Sequence, residues 1–230
     1  MKKLLLIVWL IAGAGIALWY FGPGTETLRR EGAAAAGRRA LHYQKEGKPD
    51  LAASEFQKAL ALMPAGEAAN RAGLRIGLAR AQLHSSGLTE ARADMESLVG
   101  ELSASETPEL LADARATLAE TQYYNTWLLR LEGAPREIWE PEIESARQIF
   151  RNLAESPQQS SDTNARAMRN LESAVRLARM EITELQALPI PKQCKGCRSC
   201  KVGKKPKKQQ QKPEDARTAG GAIEIDNSGD

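Results

Sequence analysis

"ALHYQKEGKPDLAASEFQKALALMP", residues 40–64, decides how the chain is read. Ala40 and Tyr43 share one helical face, Gly47 stops that helix, and Ala52, Phe56 and Ala59 line one face of the next, which Pro64 ends. Two short helices lie close and antiparallel only where small side chains sit at their crossing. A large one, here Phe56, then fills the gap beside it. The stretch predicts a helical hairpin.

Working outward, the same chemistry continues from about Ala33 to Leu188, a region rich in Ala, Leu, Glu and Arg with helical spacing. The 230 residues are 42% hydrophobic but only 5% aromatic, a balance that suits closely packed helices better than β-sheet. The formal charge of +3 is small, and both ends of the chain differ from the middle.

The hairpin resembles the tetratricopeptide repeat, a 34-residue helix–turn–helix unit with this pattern of Ala, Gly, Tyr, Ala, Phe, Ala and Pro. Counted from Ala33, it departs from the pattern at the early tryptophan, here Ala36, and at the aromatic after the turn, here Pro49. One unit cannot bury its own apolar face, so stacked neighbours are expected. A second begins at Ala72, with Leu78, Ala79, Ala91, Met95 and Leu98 at packing positions. A third, looser unit pairs "LADARATLAETQYYNTWLLRL" with "PEIESARQIFRNLAE", where Ala146, Phe150 and Leu153 repeat the second-helix pattern. Between its halves "EGAPREIWEPE" reads as a long connection, and Thr107–Pro108 reads as a helix start.

The last helix is expected from about Asn164 to Leu188. Met168, Leu171, Val175, Ala178, Ile182 and Leu185 are spaced 3, 4, 3, 4, 3, a seam of 3.5-residue period. It reads as a helix capping the exposed end of the array, or as a seam at 168–185 for self-association. The expected class is therefore all-α: an α-solenoid of about three units over 25–188, with a capping helix.

The N-terminus, 1–24, reads as a membrane anchor. Two lysines precede 18 uncharged residues, Leu4 to Phe21, about 27 Å of helix and enough to cross a bilayer core. Trp19 and Tyr20 stand where amphipathic rings favour the interface. A cleaved signal peptide is the rival, but cutting at the small residues 12–15 would leave Trp19–Tyr20–Phe21 on the mature end. Gly13 and Ala17 form one small-xxx-small pair. Lys2 and Lys3 argue for a cytosolic N-terminus, and Arg29, Arg30, Arg38 and Arg39 argue against it. The short leading tail favours a single-pass inner-membrane protein with its bulk on the periplasmic side.

The tail, 189–230, follows "LPIP" and holds almost no large apolar residue, so it cannot fold alone. It carries "CKGCRSC". Cys194, Cys197 and Cys200 resemble the start of an iron–sulfur run, but Lys204 stands where the fourth cysteine belongs. Zinc wants four ligands, and His42 and His84 lie far away in sequence. One disulfide plus an odd thiol reads first, metal second and catalytic redox third. Residues 192–212 hold nine Lys or Arg and no acid, a run suited to anionic lipid. Nucleic acid is disfavoured, because no aromatic platform lies between the charges.

No phosphate loop, G-x-S-x-G elbow or H-E-x-x-H occurs, so neither an enzyme nor a cofactor is expected. The resemblance instead implies a concave groove, lined by the first helix of each unit, that holds a partner's peptide. It assigns Leu41, Gln44 and Lys45 in the first unit and Ile76, Arg80, Leu83 and His84 in the second. In the third it assigns Tyr123 and Tyr124, with Trp127 one turn on, although Tyr123 and Trp127 read equally as core filling. The function implied is a membrane-anchored, non-catalytic adaptor in the bacterial envelope, with assembly, secretion or quality control as its setting. The alternative is a metal-binding or thiol-redox protein acting through its tail.

Overall fold

In the computed structural model the described residues are 2–21, 23–102, 107–157 and 159–188. They form helices α1 (Lys2–Phe21), α2 (Pro23–Lys45), α3 (Pro49–Leu62), α4 (Ala68–Leu83), α5 (Leu88–Leu102), α6 (Pro108–Leu131), α7 (Arg136–Ala154), α8 (Ser161–Arg179) and α9 (Ile182–Ala187), with no strand among them. The class is all-α, and its order of packing is compatible with an α-solenoid. From α2 to α8 each helix packs on the next, and α2, α4, α6 and α8 touch in turn along one side. The three cysteines and the basic run fall outside the described residues.

The residues of the opening hairpin pack as their spacing requires. Gly47 takes φ +68, a left-handed turn that a side chain would strain. Ala40, Ala52 and Ala59 are fully buried, and Phe56 is buried beside them. Ala72, Ala79, Ala91, Met95 and Leu98 repeat the arrangement between α4 and α5, and Ala146, Phe150 and Leu153 are buried on α7. Charged side chains tie the pairs together at their edges. Arg39 on α2 reaches Glu55 on α3 at 2.8 Å, and Arg75 on α4 holds Asp94 on α5 through both Nε and Nη2, the shortest contact being 2.7 Å. Arg71 on α4 donates to the carbonyls of Leu60 and Met63, two acceptors left open where α3 ends.

Among the described residues no helix is long and apolar enough to cross a membrane. On α1 the side chains described are those of residues 8–17. Val8, Trp9, Leu10, Ile11 and Ile16 among them are exposed. The span expected at Leu4–Phe21 extends past both ends of that stretch.

Three expected boundaries move. The array expected to begin at residue 25 is helical already from Pro23, because proline at a helix start gives up an N–H that has no partner there. The long connection in the third unit is a short turn at Glu132–Pro135, closed by Gly133 at φ +76, and α7 already begins at Arg136. Pro141 lies inside α7 rather than before it, exposed and little more than a turn from the helix start. The single last helix divides at Met180–Glu181. Arg130 from α6 donates to the carbonyls of Leu177 and Met180, while Glu181 and Glu184 form a reciprocal cap that starts α9. The extended break there lets α9 pack on α6 and brings Leu185 into the core at 1% exposure.

Helix α6 is the axis of the C-terminal half, in contact with α4, α5, α7, α8 and α9. Enclosed on most sides, it turns its buried threonines back onto its own carbonyls. Thr117 and Thr126 donate to the carbonyls of Asp113 and Gln122 one turn back, each at 2.9 Å. Tyr123, Tyr124, Trp127, Phe150, Leu177 and Leu185 form the largest apolar cluster.

Candidate functional site: a cleft between α2, α4 and α6

The inner faces of α2 and α4 are made of very small residues. Ala34 and Gly37 on α2 and Gly73 and Gly77 on α4 line one cleft of about 550 Å³, with Phe56 of α3, Met63 just after it and Asp113 of α6. Glycine inside a helix costs about 1 kcal/mol relative to alanine, so three on facing surfaces need a packing reason. At Gly77 the reason is direct: a Cβ there would stand 2.6 Å from the Phe56 ring. At Gly37 it would meet Leu74 at an ordinary 3.5 Å. At Gly73 nothing lies within 4 Å, so the missing side chain there is open cleft.

Two ion pairs join the helices around this space. Arg30 on α2 reaches Glu67, the residue before α4, at 2.7 Å, and Asn70 donates to the same carboxylate at 2.6 Å. Arg80 on α4 pairs with Asp113 on α6 at 2.5 Å. The charges on the lining are therefore matched, two cations against two carboxylates. A ligand carboxylate would have to compete with Asp113 for Arg80, so the cleft is better suited to apolar and amide groups. Leu41 and Leu74 supply the first kind, Gln44 and Asn70 the second.

Of the residues implied by the repeat resemblance, Leu41, Gln44, Ile76 and Arg80 line this cleft together. Ile76 does so from the core, at 2% exposure. Lys45 is exposed at the end of α2 and is not part of the lining. The remaining assignments do not present a binding surface. Leu83 is fully buried, and Tyr123 and Tyr124 are 1% and 4% exposed, packed edge to face at 5.6 Å between ring centres. Their burial pushes both phenol pKa values up, Tyr123 aided by Tyr124 and Tyr124 by Glu120. Trp127 fills the same core at 2% exposure. His84 caps the end of α4 half-buried, its ring edge-on to Tyr124, and burial lowers its pKa and keeps it neutral at pH 7.

Sequence reasoning missed Arg30, Gly37, Asn70, Gly73, Gly77 and Asp113. The glycines carried a usable signal, since Gly73 and Gly77 stand one helical turn apart inside a segment otherwise read as helix. Among the described residues no group of three His, Cys, Asp or Glu side chains could hold a metal ion. No family model, curated protein or solved structure matches the chain.

Proposed function

We propose that the chain is a non-catalytic α-solenoid scaffold of tetratricopeptide type, holding an extended polypeptide segment in the cleft between α2, α4 and α6. The observation that carries this reading is the open space at Gly73 beside a floor of Phe56, Leu74 and Ile76. An extended peptide can lay alternate apolar side chains on such a floor and offer its backbone to the amides of Gln44 and Asn70. The balanced lining favours a segment of low net charge over an acidic one. In this reading Leu4–Phe21 anchors the scaffold in an inner membrane, with α2–α9 on the periplasmic side, and the basic run at 192–212 lies against anionic headgroups.

The test uses the tagged full chain, purified from its own membranes with whatever polypeptide it retains. Gly73→Trp should remove that polypeptide while helix content and melting stay as in the wild type. Arg80→Glu should weaken retention by opening the pair with Asp113, and Lys45→Glu, outside the lining, should leave it intact. Retention that survives Gly73→Trp, or depends on Lys45 alone, would refute the cleft.

A further inference from the structure

The terminal face of the molecule has no covering helix among the described residues. Helix α8 buries Ala167, Asn170, Ala174 and Leu177 against α6 and α7, so its inward stripe lies one residue before the expected seam. Of the seam residues, Leu171 packs against the edge of the main core cluster, while Met168 and Val175 stand outside it. Met168 is 45% exposed, and Leu171 and Val175 are half-buried. Leu171 and Val175, with Met180 and Leu188, form an open apolar depression of about 740 Å³ between α8 and α9, edged by Glu172, Arg176, Arg179 and Glu184.

The order of charges along α8 identifies what fits. Glu172 lies one turn before Val175 and Arg179 one turn after it. Rotating α8 by 180° about an axis through Val175 reverses that order. It sets Glu172 within about 1.5 Å, along the helix, of the level of Arg179 in the rotated copy. The same rotation places Leu171 near the level of the copy's Met180 and Val175 on its own counterpart. A patch that is complementary to itself under a two-fold rotation is the requirement of an isologous dimer contact. The two-fold sets each Glu172 against an Arg179, which a uniformly acidic or basic partner could not do for both, and leaves Arg176 near the level of its own counterpart.

We infer that the α8–α9 face docks a second copy of this chain, antiparallel across Val175. The contact lies at the other end of the helix series from the α2–α4 cleft, and its failure would leave the peptide-binding reading untouched.

The experiment takes the full chain in detergent, with Cys194, Cys197 and Cys200 replaced by serine, and measures protein mass by light scattering across a concentration series. Wild type should run as two copies. Glu172→Arg and Arg179→Glu should each shift the midpoint of dissociation at least tenfold upward in concentration. The double variant, which restores opposite signs, should return it to within about threefold of wild type, a rescue that a folding defect would not give. In addition, Val175→Cys should form a disulfide with its own copy under mild oxidation, whereas Glu90→Cys, exposed on α5, should not. A single-copy mass at every concentration, a dimer indifferent to both charge reversals, or equal crosslinking at positions 90 and 175 would overturn the inference.

Discussion

Helices α4 and α6 occupy successive places on the same side of the molecule, yet their surfaces have opposite character. On α4 the inner face is Gly73, Ile76, Gly77 and Arg80, and a cleft remains above it. On α6 the second half carries Tyr123, Tyr124 and Trp127, and α7, α8 and α9 close over them. One pattern of helix packing thus gives a cavity or a core according to side-chain volume. Where residues are too small to fill the space between neighbours, the space stays open. Where they are aromatic, later helices gain enough by burial, about 2–3 kcal/mol for each large side chain, to fold over them.

The largest expected effect breaks the filled half. Trp127→Ala removes a nearly inaccessible indole from the centre of that cluster and should cost about 3–5 kcal/mol in urea unfolding. A smaller effect distinguishes two glycines of α4 that differ only in what lies above them. Gly77→Ala places a methyl group into the Phe56 ring, and even after the helix-propensity gain it should destabilise by about 1 kcal/mol. Gly73→Ala meets nothing and should stabilise by about 0.5–1 kcal/mol. The opposite signs, measured in one denaturant series, would sharpen the contrast. Equal signs would break it.

The packing within each hairpin was readable in advance, for a reason that particular residues make plain. Ala40, Phe56, Ala59, Ala91, Met95, Ala146 and Phe150 each sit where two helices of one hairpin cross, and such contacts follow from helical spacing alone. Leu83 and Tyr124 did not yield to the same reasoning, and Tyr123 stayed divided between groove and core, because their burial depends on helices far along the chain, Leu185 of α9 among them. The division at Met180 was hidden for the same reason. It depends on Arg130, whose guanidinium lies 4.7 Å from the Trp139 ring centre and bonds carbonyls 47 and 50 residues downstream. Three of the cleft glycines were visible as letters but not as a surface, since only the pairing of α2 with α4 brings Gly37 beside Gly73 and Gly77.

The smallest effect concerns pH. His84 lies between the two halves, against Tyr124, and burial lowers its pKa below the usual value of 6.5. The unfolded chain then binds more protons than the folded one as pH falls through the usual histidine range, so stability is full above that range and declines below it. Melting temperature should drop by a few degrees between pH 7.5 and pH 5.5, and His84→Gln should flatten that drop. An unchanged slope in the variant would assign the pH dependence elsewhere.

The most direct test of the open half as the working half is site-specific photocrosslinking in intact cells. A photoreactive side chain is placed at Leu41 or Asn70 in the cleft, and at Glu90 on the exposed face of α5. Discrete adducts to another polypeptide from positions 41 and 70, absent at 90 and abolished by Gly73→Trp, are the predicted result. Adducts from position 90 with none from the cleft would contradict the account.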